Sequence, residues 1–275
     1  MPDAAPIALM PQLTGFTYAA GALQGARDNQ EDACQFAEVD RAGTLPLGRS
    51  GGVRRSSTLL AVLADGMGGH AGGAEASRAA CMAFVAAYEG SEGPLGERLA
   101  GALDTSNRAI SAALARDRSL AGMGSTLIAA AFTPAGIGWV SVGDSRLLLF
   151  RNDKLYQLNE DHSLAPILDG LAALGEMTAA EAGAHPRRHF LRAALTGGVI
   201  ELVDLRQSAF LLCDGDWVLL ASDGIESLSD PELADVLATH AANEPDAMVA
   251  AVLAAVEAIA EPAQDNATVM AVRVG

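Results

Sequence analysis

The chain has 275 residues, of which 34 are acidic and 18 are basic, giving a formal net charge of −16. Affinity for nucleic-acid phosphates and anionic membrane surfaces comes from Lys and Arg, so this charge argues against both kinds of partner. Half of the residues are hydrophobic and only 4% are aromatic, which predicts a sizeable core built from Ala, Leu and Val. Cys34, Cys81 and Cys213 lack CxxC spacing, which argues against a disulfide framework or a zinc site and favours a reducing cytoplasm.

The first part of the chain predicts two strands, a loop and two helices. Short strands are expected at residues 16–20 and 33–39. Residues 41–57 are rich in Gly, Ser and Arg, and we expect a mobile loop there. Residues 74–88 and 95–115 carry apolar side chains at helical spacing, so two successive helices should cover one face of a sheet.

Between that loop and those helices lies the clearest element of the sequence, residues 58–71, TLLAVLADGMGGHA. Its apolar run at 59–64 has the length of a strand buried on both faces, and the glycines that follow are expected to end it. Asp65 is therefore predicted to lie at the open end of a sheet, facing a cavity. The same pattern recurs at 217–224, WVLLASDG, and more loosely at 137–146, IGWVSVGDSR.

The middle of the chain predicts consecutive strands joined by short turns, which must be antiparallel. Residues 162–198 have the weakest pattern, with small helices at 165–174 and after Thr178, where Thr178 and Glu181 match a capping box. We interpret this segment as a lid or recognition flap. The antiparallel strands are expected at 125–132, 137–142, 146–150 and 155–158.

The last part of the chain predicts two more helices and a closing strand. Ser229 and Glu232 match a capping box at the start of one helix, and a strongly apolar helix follows at 247–260. Strands are expected at 200–207, 216–221 and 267–274.

This order of elements is not the strict alternation of a doubly wound parallel fold. It predicts an α+β fold in which two antiparallel sheets pack face to face with helices outside, a four-layer α-β-β-α sandwich. We expect residues 1–275 to form a single domain.

Six acids lie beside the predicted strand ends and tight turns. Each acid alone is explained by its place in a turn, where such residues are common. Together they would repel, because two unit charges about 4 Å apart cost roughly 4 kcal/mol at an effective dielectric constant near 20. Either several are protonated or they hold divalent metal ions, and oxygen donors without Cys or His favour Mg²⁺ or Mn²⁺ over zinc. The acids are Glu31, Asp32, Asp65, Asp144, Asp223 and Asp265.

Two further groups complete this hypothesis. Gly66 offers a backbone carbonyl where no side chain blocks an ion. A pair of ions bridged by a carboxylate and a water would generate hydroxide near neutral pH and hold a phosphoryl group for in-line attack. Arg27 can present a planar fork to phosphate oxygens, although a salt bridge to a nearby acid explains it equally well.

Six short segments follow one another in the chain from about residue 21 onwards. They are 27–32 (RDNQED), 65–70 (DGMGGH), 122–126 (GMGST), 143–146 (GDSR), 222–224 (SDG) and 265–269 (DNATV). Each segment alone is weakly specific, and the ordered set is very specific. In this order they resemble the metal-dependent type 2C serine/threonine protein phosphatases, the PPM family, in its bacterial form.

The resemblance implies an α-β-β-α sandwich that hydrolyses phosphoserine and phosphothreonine in proteins at a centre of two Mg²⁺ or Mn²⁺ ions, with a third ion in bacterial members. It implies a variable flap over residues 162–198. It also implies roles for single residues: Asp65 bridges both ions, Gly66 gives its carbonyl to one, Asp223 and Asp265 complete the second site, Glu31 and Asp32 order metal-bound waters, Asp144 and Asp223 hold the third ion, and Arg27 binds the substrate phosphate.

One position departs from the family pattern. Eukaryotic relatives have a histidine directly after the Asp-Gly, proposed as the general acid, and this chain has Met67 there. His70, His162 or a metal-bound water are the alternatives. His185 and His189 have i,i+4 spacing, but Pro186 and the absence of a Glu argue against a metalloprotease.

Two other classes of function compete with the phosphatase hypothesis. One is a catalytically inactive phosphatase-like binding module. The other is a dinucleotide-binding oxidoreductase, because 66–71 fits GxGxxA after a strand, although Asp65 would repel a pyrophosphate. We predict a cytoplasmic, monomeric phosphatase whose partners are phosphorylated proteins, including a cognate Ser/Thr kinase or its targets.

Overall fold

The computed structural model describes residues 15–40, 43–54, 56–68 and 72–275. Within these ranges the chain forms thirteen strands and six α-helices. The strands are β1 (Gly15–Leu23), β2 (Asp32–Asp40), β3 (Gly43–Pro46), β4 (Ser50–Arg54), β5 (Thr58–Met67), β6 (Gly124–Ser125), β7 (Leu127–Thr133), β8 (Gly136–Val142), β9 (Arg146–Arg151), β10 (Lys154–Gln157), β11 (Asp204–Leu205), β12 (Trp217–Ala221) and β13 (Ala267–Val274). The helices are α1 (Gly72–Glu89), α2 (Leu95–Arg116), α3 (Ala165–Ala173), α4 (Ala179–Gly183), α5 (Asp230–His240) and α6 (Pro245–Ile259).

The strands form two sheets. One has the order β10-β9-β12-β13-β1-β4, and the other has the order β11-β8-β7-β5-β2-β3 with β6 paired to β5. Every strand pairing in the described ranges is antiparallel. Helices α1 and α2 pack on the second sheet, and α5 and α6 pack on the first. The predicted α+β sandwich of four layers is confirmed.

Strand β5 shows why its sequence is apolar without interruption. Leu60 and Val62 point into the core beneath α1 and α2, whereas Ala61 and Leu63 point into the core between the two sheets. Successive side chains of a strand face opposite sides, so a strand covered on both faces must be apolar at every position. The buried strand predicted at 59–64 is therefore confirmed.

The end of β5 differs from the prediction, because the glycines do not terminate it after Asp65. Gly66 and Met67 continue the strand by pairing with Ser125 and Gly124 of β6. A Cβ atom on Gly66 would lie only 2.0 Å from the carbonyl oxygen of Gly73. The glycine therefore serves to let the start of α1 approach the strand closely.

The prediction of a mobile loop over residues 41–57 is wrong, because the described part of this segment contains strands β3 and β4. Strand β3 extends the second sheet beside β2, and β4 extends the first sheet beside β1. Both lie at sheet edges, where a Gly- and Ser-rich strand can still be held by backbone hydrogen bonds from one neighbour. Residues 41, 42 and 55 lie outside the described ranges. The strand predicted at 200–207 is shorter than expected, because only β11 pairs, with β8.

Local signals of the sequence are confirmed at several turns and helix starts. Asn152 and Asp153 adopt φ values of 52° and 58° in the tight turn between β9 and β10, as a type I′ hairpin requires. Capping boxes are present at Thr178 before α4 and at Ser229 before α5. Across the described ranges no helix combines the length and apolar character needed to cross a bilayer.

The core between the sheets generates a stability prediction. Leu63 is fully buried there, whereas Leu174 is 76% exposed after α3. We expect Leu63→Ala to lower the free energy of unfolding by about 3 kcal/mol, because it leaves a cavity in a packed interior. The control Leu174→Ala should change it by less than about 0.5 kcal/mol. Urea unfolding of both variants measures the difference, and equal losses would contradict this assignment of the core.

Candidate active site

A cleft of about 640 Å³ lies at one end of the sandwich, and five of the six predicted acids line it. Arg27, Gly66 and Met67 also contribute to its walls. Asp32, the sixth acid, lies directly opposite Asp65 in the register of β2 and β5. The structure thus brings together acids that are up to 234 positions apart in the chain, between positions 31 and 265. The acids lining the cleft are Glu31, Asp65, Asp144, Asp223 and Asp265.

The backbone of Asp65 is fixed by hydrogen bonds from the segment that precedes β7. Its N–H donates to Thr126 Oγ1 at 3.0 Å. Its carbonyl oxygen accepts from Ser125 Oγ at 2.9 Å and from the Thr126 N–H at 2.8 Å. The GMGST segment is therefore a support for Asp65, a role that sequence reasoning had not assigned to Ser125 and Thr126.

Two of the acids have buried oxygens that lack a partner. Asp32 Oδ2 accepts a hydrogen bond from Ser222 Oγ at 2.8 Å, but its Oδ1 is buried and has no hydrogen-bond partner. Asp223 Oδ1 is also buried without a partner. A buried carboxylate oxygen with no donor is costly, so these atoms favour a proton or a cation beside them.

Asn266 connects the two ends of the chain at the cleft. Its Nδ2 donates to the carbonyl oxygens of Gln24 and Asn29, at 2.8 and 3.0 Å. Its Oδ1 accepts from the Glu31 N–H at 2.7 Å. These three bonds hold the loop after β1 against the start of β13, and sequence reasoning had not identified Asn266 as their centre.

Arg27 lies on that same loop and forms an ion pair with Asp265. The side chain of Arg27 is 56% exposed, so it remains accessible from the cleft. Both interpretations of Arg27 thus hold geometrically, since it is paired with an acid and also lines the cavity. Gln24 donates to the carbonyl oxygen of Arg27 at 2.8 Å, which anchors the loop.

Glu31 is held where α1 begins. Its carbonyl oxygen accepts from the Gly66 N–H at 3.2 Å and from Ser77 Oγ at 2.5 Å. A Cβ atom on Gly73 would lie 2.5 Å from Glu31 Oε2 and 2.9 Å from the backbone carbonyl carbon of Gly66, so the glycine lets both groups approach α1 closely. Loop, strand and helix therefore meet at Glu31 with no spare space.

Burial raises the pKa of the central acids. It raises the pKa of Asp65 well above its usual range, and the neighbouring carboxyls of Asp32 and Asp223 raise it further. Burial raises the pKa of Asp144 to about 8 and that of Asp32 to about 6, and Asp223 adds to both effects. Without a cation, these carboxyls cannot all be ionised together at neutral pH.

The donor set fits a divalent cation with oxygen ligands. It consists of carboxylates and a backbone carbonyl, the ligand types that Mg²⁺ and Mn²⁺ prefer. In the described ranges no three acidic, His or Cys side chains converge as a ready-made cage. The unpartnered oxygens of Asp32 and Asp223, together with the raised pKa values of both carboxyls, nevertheless favour a proton or a cation beside them.

The histidines differ in their relation to the cleft. His162 is buried, and its Nδ1 accepts from the Gly143 N–H at 3.2 Å, so it supports the turn between β8 and β9. His70 lies outside the described residues. His189 lines the cleft, although sequence reasoning had considered it only as part of a rejected metalloprotease pattern. The sequence pattern of residues 162–198 is too weak to predict that His189 lies at the cleft.

Comparison with known proteins identifies the family. The family model described as "Protein phosphatase 2C" matches residues 50–261, which is most of the chain. The chain belongs to the protein phosphatase 2C family. The family match confirms the resemblance seen in the sequence.

Relatives of the chain within the protein phosphatase 2C family are bacterial. It is 36% identical to the serine/threonine protein phosphatase PstP of Mycobacterium tuberculosis over 201 residues, which cover 72% of this chain and 37% of PstP. It is 32% identical to the protein phosphatase PhpP of Streptococcus pneumoniae over 190 residues, which cover 67% of this chain and 75% of PhpP. The chain thus spans little more than a third of the length of the mycobacterial relative.

A solved structure supports the same family assignment. The catalytic domain of the serine/threonine protein phosphatase PstP, in complex with two manganese ions, aligns with a TM-score of 0.68 and 31% identity. The alignment covers 94% of this chain and 98% of that structure. The dinucleotide-binding alternative is not supported, because its fold needs a parallel sheet and the described strands are all antiparallel.

The raised pKa of Asp144 generates a prediction for the metal-free protein. An aspartate in an unfolded chain has a pKa of about 3.9, whereas burial in the fold raises the pKa of Asp144 to about 8. The stabilising effect of its protonated form is therefore complete below the unfolded pKa and is lost as the pH rises through the folded pKa. In EDTA, we expect the Tm to fall as pH is raised from about 5 to about 9, and to fall less in Asp144→Asn.

Thermal melting followed by circular dichroism measures this difference. Asp153→Asn is the control, because Asp153 lies in the exposed β9–β10 turn, where φ is positive and Asn is equally tolerated. This control should keep the pH dependence of the wild type. An identical pH dependence in Asp144→Asn and the wild type would show that Asp144 ionises normally.

Proposed function

We propose that the chain hydrolyses phosphoserine and phosphothreonine in proteins, with water as the nucleophile at a centre of two Mg²⁺ or Mn²⁺ ions. One observation carries the proposal: an acid-lined cleft with unpartnered buried oxygens lies beside an accessible arginine. The acids would bind divalent cations, and the arginine would bind a phosphate dianion. Membership of the protein phosphatase 2C family supports the same reaction.

The metal ligands proposed for this chain are residues that line the cleft, together with Asp32 beside Asp65. When bound, the ions would polarise a water molecule and offset the charge of the phosphoryl group. Asp65 is proposed to bridge them, since it lines the cleft opposite Asp32 and its backbone is held by three hydrogen bonds. The other proposed ligands are the carbonyl of Gly66, Asp223 and Asp265 at the ions, Glu31 and Asp32 through ordered waters, and Asp144 with Asp223 at a third ion.

Arg27 is proposed to bind the substrate phosphate through its guanidinium fork. Its ion pair with Asp265 keeps it at the edge of the cleft before substrate binds. Because Asp265 is also a proposed metal ligand, a cation there would share the negative charge that Arg27 now neutralises. The arginine would then be freer to exchange its carboxylate partner for a phosphate.

The chain offers no cysteine for a covalent intermediate. Cys34 and Cys213 are exposed elsewhere, Cys81 is buried, and none of the three lines the cleft. We therefore propose direct transfer of the phosphoryl group to water.

The segment 162–198 is proposed to act as the flap beside the substrate. His189, Phe190 and Leu191 from this segment line the cleft. Arg188 fixes the segment by a bidentate pair with Asp169 of α3, at 2.7 and 2.9 Å. We further propose one catalytic domain over residues 1–275, monomeric and cytoplasmic, acting on phosphoproteins that include a cognate Ser/Thr kinase or its targets.

Metal dependence is the first test of this function. We expect hydrolysis of a phosphothreonine peptide in Mn²⁺, and its loss in EDTA. Asp65→Asn should lower kcat/KM by about 10³-fold, because the several kcal/mol supplied by the ions depend on their bridge. Asp153→Asn, on the exposed turn, should retain full activity. Release of inorganic phosphate measures all four conditions.

Three outcomes of that assay would decide against the proposal. Activity that survives EDTA, or that survives Asp65→Asn, contradicts a two-ion mechanism. A wild-type chain that is inactive with every divalent cation supports the alternative of an inactive binding module.

Arg27 provides a second test. We expect Arg27→Ala to lower kcat/KM for the phosphopeptide by about 30-fold, mainly through KM, since it removes charge-assisted bonds to the phosphate. Arg27→Lys should recover part of the loss, because it restores the charge without the planar fork. Steady-state kinetics measure both variants. An unchanged KM in Arg27→Ala would assign Arg27 only to its pair with Asp265.

A further inference from the structure

His189 lies where the cleft meets a second cavity of about 420 Å³, and it lines both. The second cavity extends under the 162–198 segment towards Glu226 and Asp230. The side chain at this junction remains open to solvent, since the imidazole is 64% exposed. His189 is therefore the histidine of the described ranges that a substrate in the cleft would meet.

Glu226 lies beside one side of the imidazole. His189 Nδ1 lies 3.5 Å from Glu226 Oε2. Glu226 belongs to the short 3₁₀ helix Asp223–Ser227 that begins with the metal-site aspartate, so it is fixed relative to the cleft. The other ring nitrogen, Nε2, makes no hydrogen bond with any described residue. A carboxylate at Nδ1 with Nε2 free is the arrangement that orients a histidine for proton transfer.

The surrounding cations do not oppose a positive charge on this ring. Arg146 also lines the second cavity and pairs with Asp230 at 2.8 Å. Arg188 precedes His189 and pairs with Asp169. Each arginine is neutralised by its own carboxylate.

The chemistry of the proposed reaction requires a proton at this place. The oxygen of serine or threonine is a poor leaving group as an alkoxide, so a positioned acid accelerates its departure. Met67 has no proton to give, and His162 is buried with Nδ1 committed to Gly143. His189 lines the cleft, and its imidazole can carry the proton that the departing oxygen needs.

We propose that His189 donates the proton to the departing serine or threonine oxygen, and that Glu226 is its positioning residue. The proposal rests on the proposed phosphatase function. As the bond between phosphorus and the side-chain oxygen breaks, its electron pair stays on that oxygen, which takes the proton from Nε2. Water supplies the new oxygen of inorganic phosphate and its proton goes to solvent. The exposed imidazole regains a proton from solvent.

Two substrates with different leaving groups test the proposal. A phosphothreonine peptide needs the proton, whereas p-nitrophenyl phosphate releases a stable phenolate without one. We expect His189→Gln to lower kcat for the peptide by about 10²-fold and for p-nitrophenyl phosphate by less than about threefold. Glu226→Gln should show the same selectivity with a smaller loss, about tenfold for the peptide.

Two further histidine variants serve as references. His185 lies four residues earlier in the same segment and lines neither cavity. His185→Gln should leave both rates unchanged. His70→Gln tests the histidine of the 65–70 motif and should not reproduce the selective loss. Thermal melting of each variant checks that the substitution leaves the fold intact.

The outcomes separate this proposal from the function on which it rests. Equal losses on both substrates in His189→Gln would overturn proton donation, since only the peptide needs it. An unchanged peptide rate, or a selective loss in His70→Gln instead, would also overturn it. A wild-type chain that hydrolyses neither substrate in Mn²⁺ would overturn both the proposed phosphatase function and this proposal. Normal hydrolysis of p-nitrophenyl phosphate by His189→Gln would support the phosphatase function independently of the role of His189.

Discussion

The repulsion among carboxylates at one end of the sandwich is the constraint on which the rest of the structure depends. Asp32 and Asp65 face each other across two paired strands. Asp223 lies close enough to raise the pKa of both carboxyls, and Asp144 further raises that of Asp65. Buried like charges are unstable without protons or cations between them. The two sheets supply the apolar strands that force this proximity. A fold that buries these acids together is therefore a fold that binds positive charge.

The architecture holds this strained end through polar contacts from distant parts of the chain. Ser125 and Thr126 fix the backbone of Asp65, and Asn266 ties the loop after β1 to the start of β13. Gly66 and Gly73 remove the side chains that would separate β5 from α1. These contacts restrain the backbone segments that carry the acids. Rigid preorganisation of this kind is what a catalytic site requires.

The sequence predicted the layers of the fold and the acids of the cleft, because both follow from local patterns. The unbroken apolar run of β5 and the Asp-Gly steps after it are visible without a structure. The edge strands β3 and β4 were not predictable, since a Gly- and Ser-rich segment becomes a strand only when a neighbour offers backbone partners. The positions of Asn266 and His189 also depend on contacts between segments far apart in the chain. Contacts between distant segments, and not residue type alone, therefore decide the positions of these two residues.

The proposed metal centre is tested most directly by the stoichiometry of Mn²⁺ binding, measured by isothermal titration calorimetry on the metal-free protein. We expect two tightly bound ions for each wild-type chain. In Asp65→Asn, the loss of the bridging carboxylate should weaken both sites together, whereas Asp153→Asn should bind as the wild type does. Absence of Mn²⁺ binding by the wild type, or unchanged binding in Asp65→Asn, would contradict the claim that the buried carboxylates form a metal centre.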